Sequence, residues 1–269
     1  MLVAVCSDKG SPGATTTGLA LASAWSTPAV LVEADPYGGD LAVRLRTKAG
    51  AALPEAPTVL TVATAARTSE SAALVARYAQ PVNDQLSVVP GHLVAEQVSG
   101  VPDWGPFAAA LAVSAIPVVA DLGRLHSASP LLPVAARADV VLVVGRPDAS
   151  SVIRMRERLN RLVPALAAHR GSPPRVLPVL VSPNRHGAGD VADLRRVLAE
   201  TVAGPLIVGI AYLALDPGAV GRLEAGEDPA GRLARTPLLR TARALAADVS
   251  GLVGVHESAV DVAAVPDGV

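Results

Sequence analysis

The run Leu2-Val3-Ala4-Val5-Cys6-Ser7-Asp8-Lys9-Gly10-Ser11-Pro12-Gly13-Ala14-Thr15-Thr16-Thr17 decides how this chain folds. Leu2–Cys6 is apolar, β-branched at alternate positions and too short for a helix, so it reads as a buried strand. The next residues carry the glycines and the proline of a turn. Thr15–Trp25 then repeats apolar residues at helical spacing. Strand, glycine turn and helix in that order are what a phosphate-binding loop requires. Successive backbone N–H groups form a concave nest, glycine lets a phosphate approach, and the helix N-terminus adds a favourable dipole. Gly10, Ser11, Gly13, Ala14, Thr15 and Thr16 are therefore candidate phosphate contacts, and the Thr15 hydroxyl is a candidate Mg²⁺ ligand. The strict pattern G-x-x-x-x-G-K-[ST] has a lysine where this chain has Ala14. A glycine turn joining strand to helix without any ligand would look the same, so the loop alone leaves both readings open.

Working outward, the alternation continues to the far end. Ala29–Val32, Leu86–Val89, Ile116–Ala120, Val140–Val144, Val176–Val181 and Leu206–Ile210 are short Val-, Ile- or Leu-rich runs. Between them, Ser150–Ala168 and Ala188–Val202 space their apolar residues three and four apart. Strands alternating with helices imply crossover connections, hence a mostly parallel sheet with both faces covered. The expected architecture is an α/β three-layer sandwich of roughly seven or eight strands. Residues 48–84, rich in Ala, Thr and Ser, predict one or two helices and a loop. Pro237–Val249 predicts a helix opened by proline in its first turn. No repeat or linker divides the sequence, so a single domain over 1–262 with a frayed tail at 263–269 is expected.

Composition narrows the function. The chain has 269 residues, 51% of them hydrophobic but only 2% aromatic, so its core must be built from Ala, Val and Leu. Two Trp, three Tyr and one Phe cannot furnish a stacking surface for single-stranded nucleic acid. Lys and Arg number 23 against 24 Asp and Glu, which removes any whole-molecule field toward nucleic acid or acidic lipid. Mean hydropathy is +0.41, yet no apolar run reaches the ~18–20 residues of a spanning helix. The single cysteine, Cys6, excludes an internal disulfide or a multi-cysteine zinc site and reads as a small core residue. Asp8 and Lys9 break the first apolar run before it could serve as a secretory leader, so a cytoplasmic location is expected. His92, His126, His169, His186 and His256 lack metal-ligand spacing. Neither a G-x-S-x-G elbow nor a G-x-G-x-x-G turn after the first strand is present.

Further motifs follow in order. The second strand ends in Val32-Glu33-Ala34-Asp35-Pro36-Tyr37-Gly38-Gly39-Asp40, placing carboxylates at the strand end that faces the ligand crevice of an open α/β sheet. Ile116-Pro117-Val118-Val119-Ala120-Asp121-Leu122-Gly123 is an apolar run closing on Asp-x-Gly. Ala138-Asp139-Val140-Val141-Leu142-Val143-Val144-Gly145-Arg146-Pro147-Asp148 comes next, with a helix start at Ser150-Ser151-Val152. Taken together, these motifs resemble the ParA/MinD family of deviant Walker ATPases over nearly the whole chain. That family's first motif, K-G-G-x-G-K-[ST]-[ST], is matched by Lys9, Gly10, Gly13, Thr15 and Thr16, with Ala14 in place of the second lysine.

The resemblance implies a P-loop NTPase fold with ATP and Mg²⁺ as cofactors. It implies that Lys9 reaches across a nucleotide-sandwich homodimer, that Asp35 orients the attacking water, that Glu33 stands near Mg²⁺, and that Asp121 holds a Mg²⁺-bound water. It assigns adenine reading to Asn184, which comes two residues late in Val179-Leu180-Val181-Ser182-Pro183-Asn184-Arg185, or to Ser182 in its stead. In the next family strand Ala211 replaces a proline, and two extra residues precede Asp216. The implied partners are a second copy of the chain and a protein that sets location or stimulates hydrolysis.

The functional expectation is a positioning or partitioning ATPase that dimerises with nucleotide, binds ATP weakly and hydrolyses it slowly. Ala14 forgoes a charged hydrogen bond worth about 1.5–3 kcal/mol, and Pro12 has no N–H to give. The alternative is a catalytically degenerate pseudo-ATPase acting as adaptor or scaffold in a septum, chromosome or pilus/secretion assembly. A ligase of the dethiobiotin-synthetase kind would need the phosphate lysine that Ala14 replaces. Arg154, Arg156, Arg158 and Arg161 on one predicted helix, and Arg195 and Arg196 on the next, read as solvated faces in preference to a patch for non-specific DNA. Residues 263–269 have no basic amphipathic character, so no membrane tail is expected.

Overall fold

The computed structural model describes residues 1–8, 13–171 and 174–263, with the side chains of Ser99 and of 255–263 excepted. Lys9, Gly10, Ser11 and residues 264–269 of the expected tail lie outside the described residues.

The chain alternates as its sequence predicts. β1 (Leu2–Ser7), α1 (Ala14–Ala24) and β2 (Ala29–Glu33) lead through α2 (Leu41–Arg44), α3 (Val59–Ala66) and α4 (Leu74–Tyr78) to β3 (Gln80–Pro81) and β4 (Leu86–Val89). Then come α5 (Gly105–Ala112), β5 (Val118–Arg124), α6 (Leu132–Arg137), β6 (Val140–Gly145), α7 (Ala149–Arg170) and β7 (Val176–Ser182). α8 (Gly187–Ala199), β8 (Ala211–Ala214), α9 (Pro217–Glu224) and α10 (Pro237–Ala263) complete it. The eight strands form one sheet in the order β3-β4-β2-β5-β1-β6-β7-β8. Only β3 runs antiparallel, pairing Gln80 with Val88.

The pleat sorts the strand residues between two cores. Leu2, Ala4 and Cys6 of β1 face one layer with Val59, Phe107, Leu159 and Leu194 of α3, α5, α7 and α8. Val3 and Val5 face the other with Leu19, Leu223 and Leu245 of α1, α9 and α10. All six residues of β1 are buried. With so few aromatics, small side chains fill both layers, and the main exception is Phe107. It is fully buried and meets Trp104 edge to face, the ring centres 5.3 Å apart at 83°.

Several boundaries differ from expectation. The strand expected at Leu206–Ile210 begins instead at Ala211. Pro205 sits in a 3₁₀ turn at Gly204–Leu206, and the residues after it pair with β7 through one isolated bridge, Val176 to Ile207. β5 starts two residues late, after Pro117, and continues past Asp121 to Arg124. Within residues 48–84 two helices form as expected, followed by the unforeseen edge strand β3. The last helix runs on from Val249 through Ala263. Among the described residues, no helix is long and apolar enough to cross a membrane.

Truncating Phe107 to alanine should cost about 3–5 kcal/mol, since neighbouring Ala side chains cannot collapse into the space. Asp148→Ala, which removes the side-chain acceptor for the Ser151 N–H at the start of α7, should cost about 1 kcal/mol. Urea unfolding of both variants measures the contrast, and near-equal losses would contradict this account of the core.

Candidate phosphate-binding site

β1 runs into the turn that precedes α1, and Gly13 is the N-cap of that helix with φ 102° and ψ 29°. A side chain would be strained in this left-handed conformation, so the position suits glycine. α1 has no side-chain hydrogen bond at its N-cap and no acidic residue in its first turn. Side chains do cap α7 and α9, where Asp148 accepts the Ser151 N–H at 2.9 Å and Asp216 accepts the Ala219 N–H at 3.0 Å, while α2, α4, α5, α6 and α8 share the uncapped start of α1. The first amides of α1 are thus left available to an external anion. A cavity of about 760 Å³ opens at this helix end, bordered by Gly13, Ala14, Thr15 and Thr16. It lies beyond the carboxyl ends of β1, β2, β5 and β6, where the strand order changes direction around β1.

Three acids stand at this end of the sheet in different states: Glu33 and Asp35 line the cavity, and Asp121 lies beside Thr15 without lining it. Asp121 is fully buried; one oxygen accepts the Gly123 N–H at 3.0 Å. The other lacks a partner of good hydrogen-bond geometry, although the Thr15 hydroxyl lies beside the carboxyl. Burial pushes the Asp121 pKa up to about 6, against the pull of Thr15 and the Gly123 amide. A buried, half-satisfied carboxylate beside a threonine at a helix N-terminus suits a hydrated divalent cation. Thr15 and Asp121 therefore fit the implied Mg²⁺.

Glu33 borders the same cavity, but its oxygens are already committed. It accepts the N–H groups of Asp40 at 2.9 Å, Gly91 at 2.9 Å and Leu41 at 3.2 and 3.3 Å. Gly39 and Gly91 make room for it, since a Cβ on Gly39 would stand 2.2 Å from a Glu33 oxygen. Burial pushes the Glu33 pKa up to about 7, opposed by the amides that it accepts. Glu33 thus clasps the end of β2 to the loop before α2 and to the segment after β4.

Asp35 accepts the Tyr37 N–H at 2.9 Å and packs against Gly123, where a Cβ would lie 2.0 Å from its carboxylate. Gly123 sits at φ +56°, in a break of register between β5 and β1. Burial raises the Asp35 pKa, while the Tyr37 amide, Arg124 and His92 act against the rise.

The structure brings Gly13, Ala14, Thr15, Thr16, Glu33, Asp35 and Asp121 to one end of the sheet. It does not bring Asn184, which borders a separate cavity with Tyr212 and Arg240. The Tyr212 hydroxyl donates to Asn184 Oδ1 over a long 3.5 Å. Ser182 is buried and donates to the Asp190 carboxylate. Cys6 is fully buried and burial pushes its thiol up to about 12, as suits a core residue. Of the predicted arginine face, Arg158 pairs with Asp8, Arg156 with Glu157 and Arg196 with Asp193. Sequence reasoning missed Arg124 and Arg146, which line the cavity, and the buried His92. The available signal for the arginines was position, since each follows a glycine at a strand end.

The backbone superposes on solved structures over almost its full length. A ParA family ATPase from Chlorobium tepidum TLS matches with a TM-score of 0.67 at 14% identity, over 91% of this chain and 98% of that one. The cell division ATPase MinD of Pyrococcus furiosus matches with a TM-score of 0.66 at 18% identity, over 93% and 98%. The fold is that of the ParA and MinD ATPases. An ATP complex of a Cyanothece McdA variant gives 0.65 at 17% identity, over 93% and 96%. No protein-family model matches the sequence, and no curated protein matches it by sequence. At such identities the likeness establishes the fold, and the site rests on the geometry above.

The Glu33 clasp has a pH signature. With its pKa raised from 4.5 to about 7 on folding, the native chain holds this proton more tightly than the unfolded one. That contribution is complete below about pH 4.5 and is lost as pH rises through 7, at a cost of about 2–3 kcal/mol. Urea midpoints should accordingly fall between pH 5 and 8. Glu33→Gln, which cannot titrate and offers a single acceptor oxygen, should flatten that slope and lower stability at pH 5. An unchanged slope in the variant would assign the effect to other groups.

Proposed function

We propose that this chain is a nucleotide-responsive positioning or partitioning switch of the ParA/MinD kind, with weak Mg²⁺–ATP binding and slow turnover. The observation that carries this reading is the uncapped N-terminus of α1 facing the cavity beside Thr15 and the half-satisfied Asp121 carboxylate. Backbone amides after Gly13 receive the phosphates, Thr15 and Asp121 hold Mg²⁺, and Asp35 is placed to orient water. Mg²⁺, when bound, would neutralise phosphate charge. Asp35 is half-buried and held against Gly123, so its carboxylate has a fixed direction. Lys9 acts on the phosphates of a partner copy, and assembly into a homodimer follows nucleotide binding. A protein partner would then read the dimer.

Weakness follows from Ala14. The residue lines the cavity but brings no charge where a lysine would contribute a hydrogen bond worth about 1.5–3 kcal/mol. A second reading, an adaptor with no turnover, draws on Ala14 together with Glu33, whose oxygens are spent on backbone amides. Asn184 stands outside the cavity in both readings, which leaves the base held through contacts other than this side chain.

Calorimetric titration with Mg²⁺–ATP and sizing with and without nucleotide test the switch. Weak, Mg²⁺-dependent binding with a shift from monomer to dimer is expected, and Ala14→Lys should tighten binding about tenfold or more. A dimer indifferent to nucleotide would favour the adaptor. Micromolar affinity with brisk hydrolysis would overturn the weak site. DNA binding to the arginine helices should be absent or slight, because Arg156, Arg158 and Arg196 are paired; a salt-sensitive shift in gel mobility would contradict that.

A further inference from the structure

The cavity that should take a polyphosphate is bordered by Glu33, Asp35 and Asp40, so an anion entering it needs positive charge from somewhere other than position 14. Three described cationic side chains line it: Arg44, Arg124 and Arg146. Arg44 is engaged, bonding Glu224 and Asp40. Arg124 and Arg146 are both exposed at the cavity, and neither guanidinium has a hydrogen bond or ion pair among the described residues. Other arginines close by, such as Arg158 with Asp8, have found carboxylates.

Their positions follow from the sheet. β5 and β6 are the two strands bonded to β1, and β1 leads into the glycine turn. Arg124 ends β5 and Arg146 follows β6, so the two residues stand on either side of the end of β1. Both placements are built. In β5 the register against β1 shifts between Val5 and Ser7, so that Ser7 pairs with Arg124, and Gly123 takes the left-handed conformation that this step requires. In β6 Gly145 lets Met155 of α7 pack onto the strand end, since a Cβ there would lie 2.5 Å from the Met155 methyl. The Ser151 hydroxyl then accepts the Arg146 N–H at 2.9 Å and fixes the backbone that carries the guanidinium.

We propose that Arg124 and Arg146 are the phosphate-binding cations of this site, taking over from the two strands beside β1 the charge that Ala14 does not supply from the loop. The inference rests on the nucleotide reading above. A guanidinium offers paired N–H donors that match two phosphate oxygens, and its charge does not titrate. Two such groups on either side of the end of β1 would grip the polyphosphate and leave recognition of the base unchanged. The ligand class is therefore a nucleoside di- or triphosphate, and affinity should grow with the number of phosphates.

The test is equilibrium binding of ATP, ADP and AMP, each with Mg²⁺, to the full chain and to Arg124→Ala, Arg146→Ala and the double variant. Each single change should weaken ATP about tenfold or more while changing AMP far less. The double variant should erase the preference for ATP over AMP, and adding Ala14→Lys to it should restore part of that preference. Both arginines are exposed, so thermal unfolding of the variants should match the parent and thereby separate binding from folding. If the parent binds ATP and the variants bind it equally well, the arginine proposal is wrong and the nucleotide reading stands. If the parent binds none of the three nucleotides, the nucleotide reading itself fails and takes the proposal with it.

Discussion

β1 is hydrogen-bonded along both edges, to β5 through Leu2 with Val118 and Ala4 with Ala120, and to β6 through Val3 with Val140 and Val5 with Leu142. Its six residues are all buried, divided between two apolar layers. A strand held in this way cannot slide by one residue without turning each core side chain to the wrong face. Because β1 is held on both edges, its end at Ser7 is fixed relative to the ends of β5 and β6. Thr15 meets Asp121, and Arg124 and Arg146 stand on either side of the end of β1, as consequences of that one register.

Glu33 adds a second constraint at the end of β2. The sheet ladder ends with β2, and the loop toward α2 has no strand to hold it. Three amides, from Asp40, Leu41 and Gly91, converge on one buried carboxylate instead. An acid can do this because it accepts several N–H bonds at once, whereas an amide side chain offers one acceptor atom. Burial and donation oppose each other, and burial wins by enough to leave a pKa of about 7. The cavity wall is therefore shaped by a group whose charge changes near neutrality. The glutamate side chain is long enough to reach back from the strand end into the protein's own amides.

How much of this was legible depended on whether the cause was local. Val140–Val144 could be read as a strand because five consecutive apolar residues can hardly do anything else in a buried sheet, and Leu86–Val89 because three of its four residues are apolar and bounded by turn residues. Strand order was not legible, since pairing β1 with β5 and β6 joins residues more than a hundred positions apart. Leu206–Ile210 misled because it is as apolar as a strand, yet Pro205 holds its start in a 3₁₀ turn and Ile207 makes one isolated bridge to β7. Thr15, Asp35 and Asp121 were visible through their motifs. The Glu33 clasp was hidden, because its donors are backbone amides that carry no sequence signature. Arg124 and Arg146 were hidden for another reason: an arginine after a glycine at a strand end is ordinary until the neighbouring strand is known.

Charge balance at the site links these observations. The whole chain is close to neutral, with a formal net charge of −1, and some arginines near this end of the sheet are neutralised by a nearby acid. Arg44 pairs with Asp40 and Glu224, and Arg158 with Asp8. Arg124 and Arg146, which make no hydrogen bond or ion pair among the described residues, put positive charge at the edge of a cavity otherwise bordered by Glu33, Asp35 and Asp40. Desolvation makes such groups costly in a core, but at an open cavity they stay hydrated until an anion replaces the water. On the proposal above, phosphate would meet positive charge on the strands either side of β1 and not at Ala14, positioned by the register that pairs β1 with β5 and β6.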